Sequence, residues 1–303
     1  MAENKVHPHK TVWHRALSVL VISILSFVGL ETLVYINNLY QPQIYIETAG
    51  AVYLVLVIWL HFLFDLHFRD REHFTAKNLW HAIGRRLKHF AKWEHLRYFQ
   101  NYMILPGILY WGAIILIGIN FRHYALQQFI AIAAGAGLVI DYSLFKEIFR
   151  SRSLPVAGAH FVVMVYVKLF AAWLIYTAAL GIVWYYCFSP GIYHAAIFLV
   201  TLMLLYQALF QFCELSLRNV AYVMIISALL SLASYFVYRY WNVNYFTAGL
   251  LMAAVYNFLW MLMYHKLKNA LTWRVFFEQL ALLILVAVMV FGVTDFKSKI
   301  QRC

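Results

Sequence analysis

The densest group of reactive side chains lies where the second long apolar run of the chain ends. The thirteen residues from His61 to His73 include three histidines, two aspartates, one glutamate and two arginines. An ionisable group at the centre of a bilayer costs roughly 2.5–3.5 kcal/mol, so such groups mark functional sites by default. His61 and Asp65 are four residues apart and share one helix face, where they would hold a metal ion together or form a hydrogen-bonded structural pair.

A basic amphipathic segment follows this cluster. Wound at about 100° per residue, residues 77–98 place aromatic and aliphatic side chains on one side and cations and histidines on the other. This pattern predicts an interfacial helix within 69–100, with its basic face towards lipid headgroups. The alternative is a solvated basic loop that only fixes topology. The side chains of the polar face are Lys77, His81, Arg85, Lys88, His89, Lys92 and His95.

The composition decides the class of protein. Of the 303 residues, 64% are hydrophobic and only 12% are charged, and the apolar residues form long runs. We therefore predict an all-α polytopic membrane protein, with one domain over residues 1–303. At roughly 20 apolar residues per span, about nine transmembrane helices form one bundle, with the interfacial helix after the second. We expect them near 16–36, 48–68, 101–119, 127–149, 157–180, 192–213, 219–238, 245–264 and 274–294.

The distribution of positive charge predicts the orientation. The net charge of +12 is concentrated in a few segments between the apolar runs, so it indicates topology and anionic lipid rather than nucleic acid. Most Lys and Arg residues fall on the side of the N-terminus, which we predict to be cytoplasmic, with the C-terminus outside. We expect an integral membrane location, in a bacterial inner membrane.

This topology places most intramembrane polar groups near one boundary. They fall within about three helical turns of the cytoplasmic side, which predicts a polar cavity opening there. The alternative is that each group snorkels or caps a helix end. Asp141 also lies one turn below Gly137 in a small-residue stretch, and we expect it to point into the bundle. The polar groups are His61, Asp65, Asp141, His160, Glu214, His265 and Glu278, whereas Glu31 and Lys168 lie deeper.

Two short motifs accompany this architecture. Tyr142 and Lys146 form a YxxxK element at the end of helix four, and a Leu-Pro-to-Gly segment runs over 153–158. With its length, helix count and cytoplasmic cavity, the chain resembles the UbiA-type intramembrane prenyltransferases. The resemblance implies transfer of an isoprenoid chain from its diphosphate, held by Mg²⁺ between two aspartate-rich segments, with membrane lipid and isoprenoid diphosphate as partners.

The aspartate-rich segments depart from the family pattern. Only Asp65 matches the first segment, where His61 and Arg69 replace an Asn and an Asp, and only Glu214 is acidic in the second. Catalysis is then altered or lost, and cations replace part of the metal clamp at the phosphate. The site that the resemblance implies has Asp65, Glu214 and Asp141 as catalytic residues; Asp65, Glu214 and His61 as Mg²⁺ ligands; and Arg69, Arg85, Arg86, Tyr142, Lys146 and Arg218 as substrate-binding residues.

Other classes of function remain open. A histidine-rich di-iron oxidoreductase would need paired histidine boxes that this sequence lacks. A proton- or ion-coupled transporter or channel would use Glu31, Lys168, Asp141 and His160 as a path across the membrane. For Lys168 the alternative is a buried structural pair with Asp141 or Glu31. A non-catalytic subunit of a membrane complex would use the aromatic side chains, 18% of the sequence, as a packing surface.

Overall fold

The computed structural model describes residues 8–39, 42–56, 93–151, 158–212, 215–241 and 243–296. These ranges form nine α-helices and no strand. The helices are α1 (Pro8–Leu39), α2 (Pro42–Tyr53), α3 (Trp93–Ile119), α4 (Tyr124–Ser151), α5 (Ala159–Tyr186), α6 (Pro190–Gln211), α7 (Leu217–Tyr240), α8 (Tyr245–Leu267) and α9 (Trp273–Val293).

Seven of the described helices contain a stretch long and apolar enough to cross a membrane. All except α2 and α3 belong to this group, and α3 contains a shorter apolar stretch, Met103–Ile119. The prediction of an all-α membrane protein is therefore confirmed, while the count of nine spans remains a prediction. The predicted interfacial helix lies outside the described residues except for 93–100, which form the start of α3.

Local sequence signals mark the starts of several of these helices. Ser216 and Thr272 accept hydrogen bonds from the backbone N–H three residues on, at 3.2 and 3.3 Å, and so cap α7 and α9. Asn244 caps α8 through Phe246 N at 2.8 Å. Pro190 starts α6, where its missing N–H has no intrahelical partner to lose. The starts of α6, α7, α8 and α9 are thus marked by a proline or by capping polar residues.

Helix α5 is the centre of the bundle. It packs against α3, α4, α6 and α8, and most of its length is buried. Two glycines on its neighbours permit close approach: a Cβ on Gly112 would lie 3.0 Å from Ile175 N, and one on Gly249 would lie 2.8 Å from Thr177 Cα. Small residues let membrane helices pack backbone to backbone, which compensates for the missing hydrophobic drive between them. Residues on the inner faces of α4, α6 and α8 consequently surround α5.

Tyrosine hydroxyls fasten α2 to α3. Tyr45 donates to Ile114 O at 2.6 Å, and Tyr110 donates to Ala49 O at 2.7 Å. Both hydroxyls are satisfied by backbone carbonyls, so these bonds serve packing and leave no free polar group.

Helix α9 lies at the edge of the described bundle. Among the described helices it packs extensively only on α8, and most of its surface is exposed.

Candidate functional site

The structure describes only part of the predicted site. Asp141, Tyr142 and Arg218 have described side chains. Lys146 lies in α4, but its side chain is outside the described part. The other predicted residues lie outside the described ranges: His61, Asp65, Arg69, Arg85, Arg86 and Glu214.

A buried polar centre joins α4, α5 and α6. It consists of Asp141, Lys168 and Gln211, whose exposed fractions are 1%, 4% and 1%. The Lys168 ammonium donates a hydrogen bond to Gln211 Oε1 at 2.5 Å, and it also attracts the Asp141 carboxylate electrostatically. Lys168 is nine residues into α5, or about 14 Å from its start at 1.5 Å per residue. The centre is therefore well inside the span.

The electrostatics of this centre determine what it can bind. A single charge at this depth is expensive, but the positive charge of Lys168 balances that of Asp141. Asp141 therefore does not fit the role of a Mg²⁺ ligand, because the nearby Lys168 ammonium would repel the metal ion. Among the described residues, no group of three or more His, Cys, Asp or Glu could hold a metal ion. The Mg²⁺ prediction rests on Asp65, Glu214 and His61, which lie outside the described ranges.

The amide of Gln211 completes the polar centre. Its Oε1 faces the Lys168 ammonium, so its Nε2 points away, and that atom has no hydrogen-bond partner among the described residues. Leaving a buried donor unpaired costs about 1–3 kcal/mol. Gln207 lies one turn earlier on α6 and is also fully buried. A carboxyl group near a lysine that is hydrogen-bonded to an amide can be part of a proton or ion relay, and it can equally be part of a structural pair.

The structure does not bring all the predicted residues together. Tyr142 is buried beside Asp141 on α4, whereas Arg218 is exposed at the start of α7. Helices α4 and α7 share no extensive contact, so Asp141 and Arg218 belong to different regions of the bundle. The predicted polar cavity would bring residues of α2, α4 and α6 together. In the described part of the chain, α4 and α6 both pack on α5 without extensive contact with each other, and α2 packs on α1 and α3.

A groove of about 340 Å³ lies between α5, α8 and α9. Its walls are aliphatic and aromatic, and no charged side chain lines it. Phe170 and Trp173 form the α5 wall, and Trp173 is held by a hydrogen bond from Nε1 to Phe246 O at 3.3 Å. Phe258 and Ala254 contribute to the α8 wall. The groove therefore lies between apolar helices that are long enough to cross a membrane.

Two amides point into this apolar groove. Asn257 of α8 and Gln279 of α9 both line it, and neither side chain forms a hydrogen bond with any described residue. An amide transferred to apolar surroundings without a partner costs about 1–3 kcal/mol on protein scales. The arrangement therefore suits a ligand with a long apolar chain and a neutral polar group that hydrogen-bonds to an amide.

Neither Gln211 nor the groove amides were identified from the sequence. The signal that could have found them is simple: an amide inside an otherwise apolar span needs a partner just as a charge does. The sequence interpretation looked for intramembrane sites mainly among charged residues and histidines. It therefore located Asp141 and Lys168 but did not identify the amide beside Lys168 or the pair on α8 and α9.

No family model, no curated protein and no solved structure matches this chain. The fold and the two sites themselves define the class, which is a polytopic α-helical membrane protein. It carries a buried polar centre and a groove among its apolar spans.

Proposed function

We propose that the protein binds a long-chain isoprenoid lipid in the groove between α5, α8 and α9. The observation that carries the proposal is the groove itself, an uncharged cavity lined by aromatic rings and two unpaired amides. Ligand sites are typically concave, largely apolar and supplied with a few polar groups that fix orientation. The amides of Asn257 and Gln279 would orient the polar end of the lipid.

The reaction class follows from the motif resemblance. A divergent UbiA-type prenyltransferase would place the apolar chain in such a groove and the diphosphate near the cytoplasmic boundary. The groove contains no cation, so it suits the chain and not the diphosphate. The diphosphate would be held by Asp65 and Glu214 with Mg²⁺, together with Arg69, Arg85, Arg86 and Lys146. Mg²⁺ and those cations would stabilise the charge on the departing diphosphate.

A matched pair of substitutions tests the groove. Ala254→Trp would fill it, whereas Ala281→Trp adds the same bulk to an exposed position of α9 outside its lining. Each purified variant is mixed with a photoactivatable isoprenoid, irradiated and digested, and the crosslinked peptides are quantified by mass spectrometry.

We expect the wild type and Ala281→Trp to crosslink through peptides of α5, α8 or α9. Ala254→Trp should lose at least about tenfold in crosslinking, which corresponds to about 1.4 kcal/mol of binding free energy. Equal crosslinking by the two tryptophan variants would refute the groove as the lipid site. Lipid binding without any prenyl transfer would support a binding protein that has lost catalysis.

A second function is favoured by the polar centre. A proton- or ion-coupled transporter would move charge through Asp141, Lys168 and Gln211. In sealed proteoliposomes with an imposed pH gradient, Lys168→Gln should then abolish proton flux, while Lys268→Gln at the exposed end of α8 should leave it unchanged. An absence of flux in the wild type would assign the centre to structure.

A further inference from the structure

Arg218 and Lys266 both contact the side chain of Tyr222, at the end of the bundle where α7 begins and α8 ends. Arg218 Nε donates a hydrogen bond to the Tyr222 hydroxyl at 3.2 Å, and its guanidinium carbon lies 5.7 Å from the centre of the Tyr222 ring. Lys266 Nζ lies 4.3 Å from the centre of the same ring. The cations come from different helices, so the packing of α7 on α8 creates this cluster.

No carboxylate in the described part of the chain neutralises the positive charge of this cluster. Neither Arg218 nor Lys266 forms an ion pair with a carboxylate in the described part of the chain. Each is attracted to the face of an aromatic ring, which is worth about 0.5–1 kcal/mol at an exposed site. Two cations held close together repel one another, so an anion bound between them would be stabilised by both.

The surroundings place the cluster at a membrane surface. Leu217, next to Arg218, is 90% exposed, and Trp273 at the start of α9 is 77% exposed. Aromatic and aliphatic side chains beside cations at the ends of apolar spans are typical of the boundary between acyl chains and headgroups. The anion available at that depth is the phosphate of a lipid headgroup.

We propose that Arg218, Tyr222 and Lys266 form a binding site for the phosphate of an anionic phospholipid in the leaflet at this end of the bundle. The hydrogen bond from Nε orients the guanidinium and leaves its terminal N–H groups to fork onto two phosphate oxygens. Lys266 contributes a second charge. The Tyr222 hydroxyl accepts from Arg218, so its own hydrogen can be donated to the phosphate.

This site is separate from the lipid groove. The groove uses Asn257 and Phe258 of α8, and Lys266 is nine residues beyond Asn257, which is half a turn out of phase at 100° per residue. The headgroup site therefore does not rest on the proposed isoprenoid binding. A variant with the groove filled, Ala254→Trp, should keep its affinity for anionic phospholipid.

Native mass spectrometry of the full-length protein tests the proposal. Phosphatidylglycerol and phosphatidylcholine with identical acyl chains are titrated separately into the wild type and its variants. We expect phosphatidylglycerol to bind at least about tenfold more tightly. The double variant Arg218→Gln/Lys266→Gln should lose about tenfold per charge, or about a hundredfold in all, which is about 2.7 kcal/mol.

Lys268→Gln is the matched control, because it removes one cation from the same end of α8, where Lys268 lies over a different ring, that of Tyr264. A general attraction to the anionic surface would weaken equally in Lys268→Gln and in Lys266→Gln alone, and that result would overturn the proposal. Equal affinity for the two lipids would also overturn it. Displacement of the lipid by millimolar inorganic phosphate would assign the site to free phosphate instead.

Discussion

At the scale of single residues, Lys168 and Asp141 are buried charged residues that attract each other inside the bundle. Neither charge could remain at this depth alone, and each makes the other tolerable. Paired charges also do not have to contribute net stability, because the cost of removing both from water offsets their attraction. We therefore expect that removing one charge lowers the stability of the protein, whereas removing both changes it little.

We expect Lys168→Met and Asp141→Leu to lower the free energy of unfolding by about 3–5 kcal/mol each, since each leaves an unbalanced buried charge. The double variant Asp141→Leu/Lys168→Met should recover most of that loss. Denaturant unfolding in detergent micelles, followed by circular dichroism, measures all three. Lys268→Met, at an exposed position, should change stability by about 0.5 kcal/mol or less. A double variant as unstable as the sum of the singles would show that the two charges are not coupled.

The sequence predicted that Asp141 points into the bundle, but it did not decide which carboxylate pairs with Lys168. The small residues before Asp141 indicated that it points into the bundle, and it is buried as expected. The partner of Lys168 was open between Asp141 and Glu31. The structure shows that Glu31 instead accepts a hydrogen bond from Gln128 Nε2 at 2.7 Å. A linear pattern cannot choose between two carboxylates on different helices, because the choice depends on which helix packs against α5.

At the scale of elements, α5 and α8 pack closely at Gly249. The absent side chain of Gly249 provides the space that Thr177 occupies. Sequence alone indicated a glycine in an apolar span but not which neighbour approaches it, because that depends on tertiary packing.

We expect Gly249→Ala to destabilise the protein by about 1–3 kcal/mol, because the new methyl would overlap Thr177, including its Cα. Gly292→Ala is the control, since a Cβ there meets nothing within 4 Å. Thermal unfolding of the two variants in the same detergent compares them directly. If Gly249→Ala unfolds at the same temperature as Gly292→Ala, the two helices are less closely packed than described.

The limits of the helices show what hydropathy can and cannot predict. The sixth span was expected near 192–213, and α6 is Pro190–Gln211, because apolar residues fill the helix. The first was expected from residue 16, but α1 begins at Pro8. Its first turns carry His9, Lys10 and His14, and polar residues can continue a helix beyond the bilayer without any hydropathy signal.

At the scale of the whole molecule, two of the positive residues that the sequence assigns to the cytoplasmic side lie together in the structure. The meeting of Arg218 and Lys266 on Tyr222 shows that the start of α7 and the end of α8 lie together. The loop 268–272 then belongs to the predicted cytoplasmic side, and the loop 120–123 to the opposite side.

Epitope tags inserted in these two loops test the orientation, because exposed loop positions tolerate insertions. We expect a tag after Ala270 to bind antibody only in permeabilised spheroplasts, and a tag after Arg122 to bind it in intact ones. The reverse pattern would invert the topology and place the headgroup site in the outer leaflet. Retention of normal unfolding behaviour in both tagged proteins is the control.

The peripheral attachment of α9 has a kinetic consequence. Among the described helices, α9 packs extensively only on α8, and most of its remaining surface is exposed. A helix held along one side can move away from its neighbours at a lower cost than a helix packed on several sides. The proposed lipid ligand would then enter the groove laterally, by two-dimensional diffusion within the membrane, without passing through water. Its residence time would be set by how often α9 moves away, and hence by the viscosity and lateral pressure of the surrounding lipid.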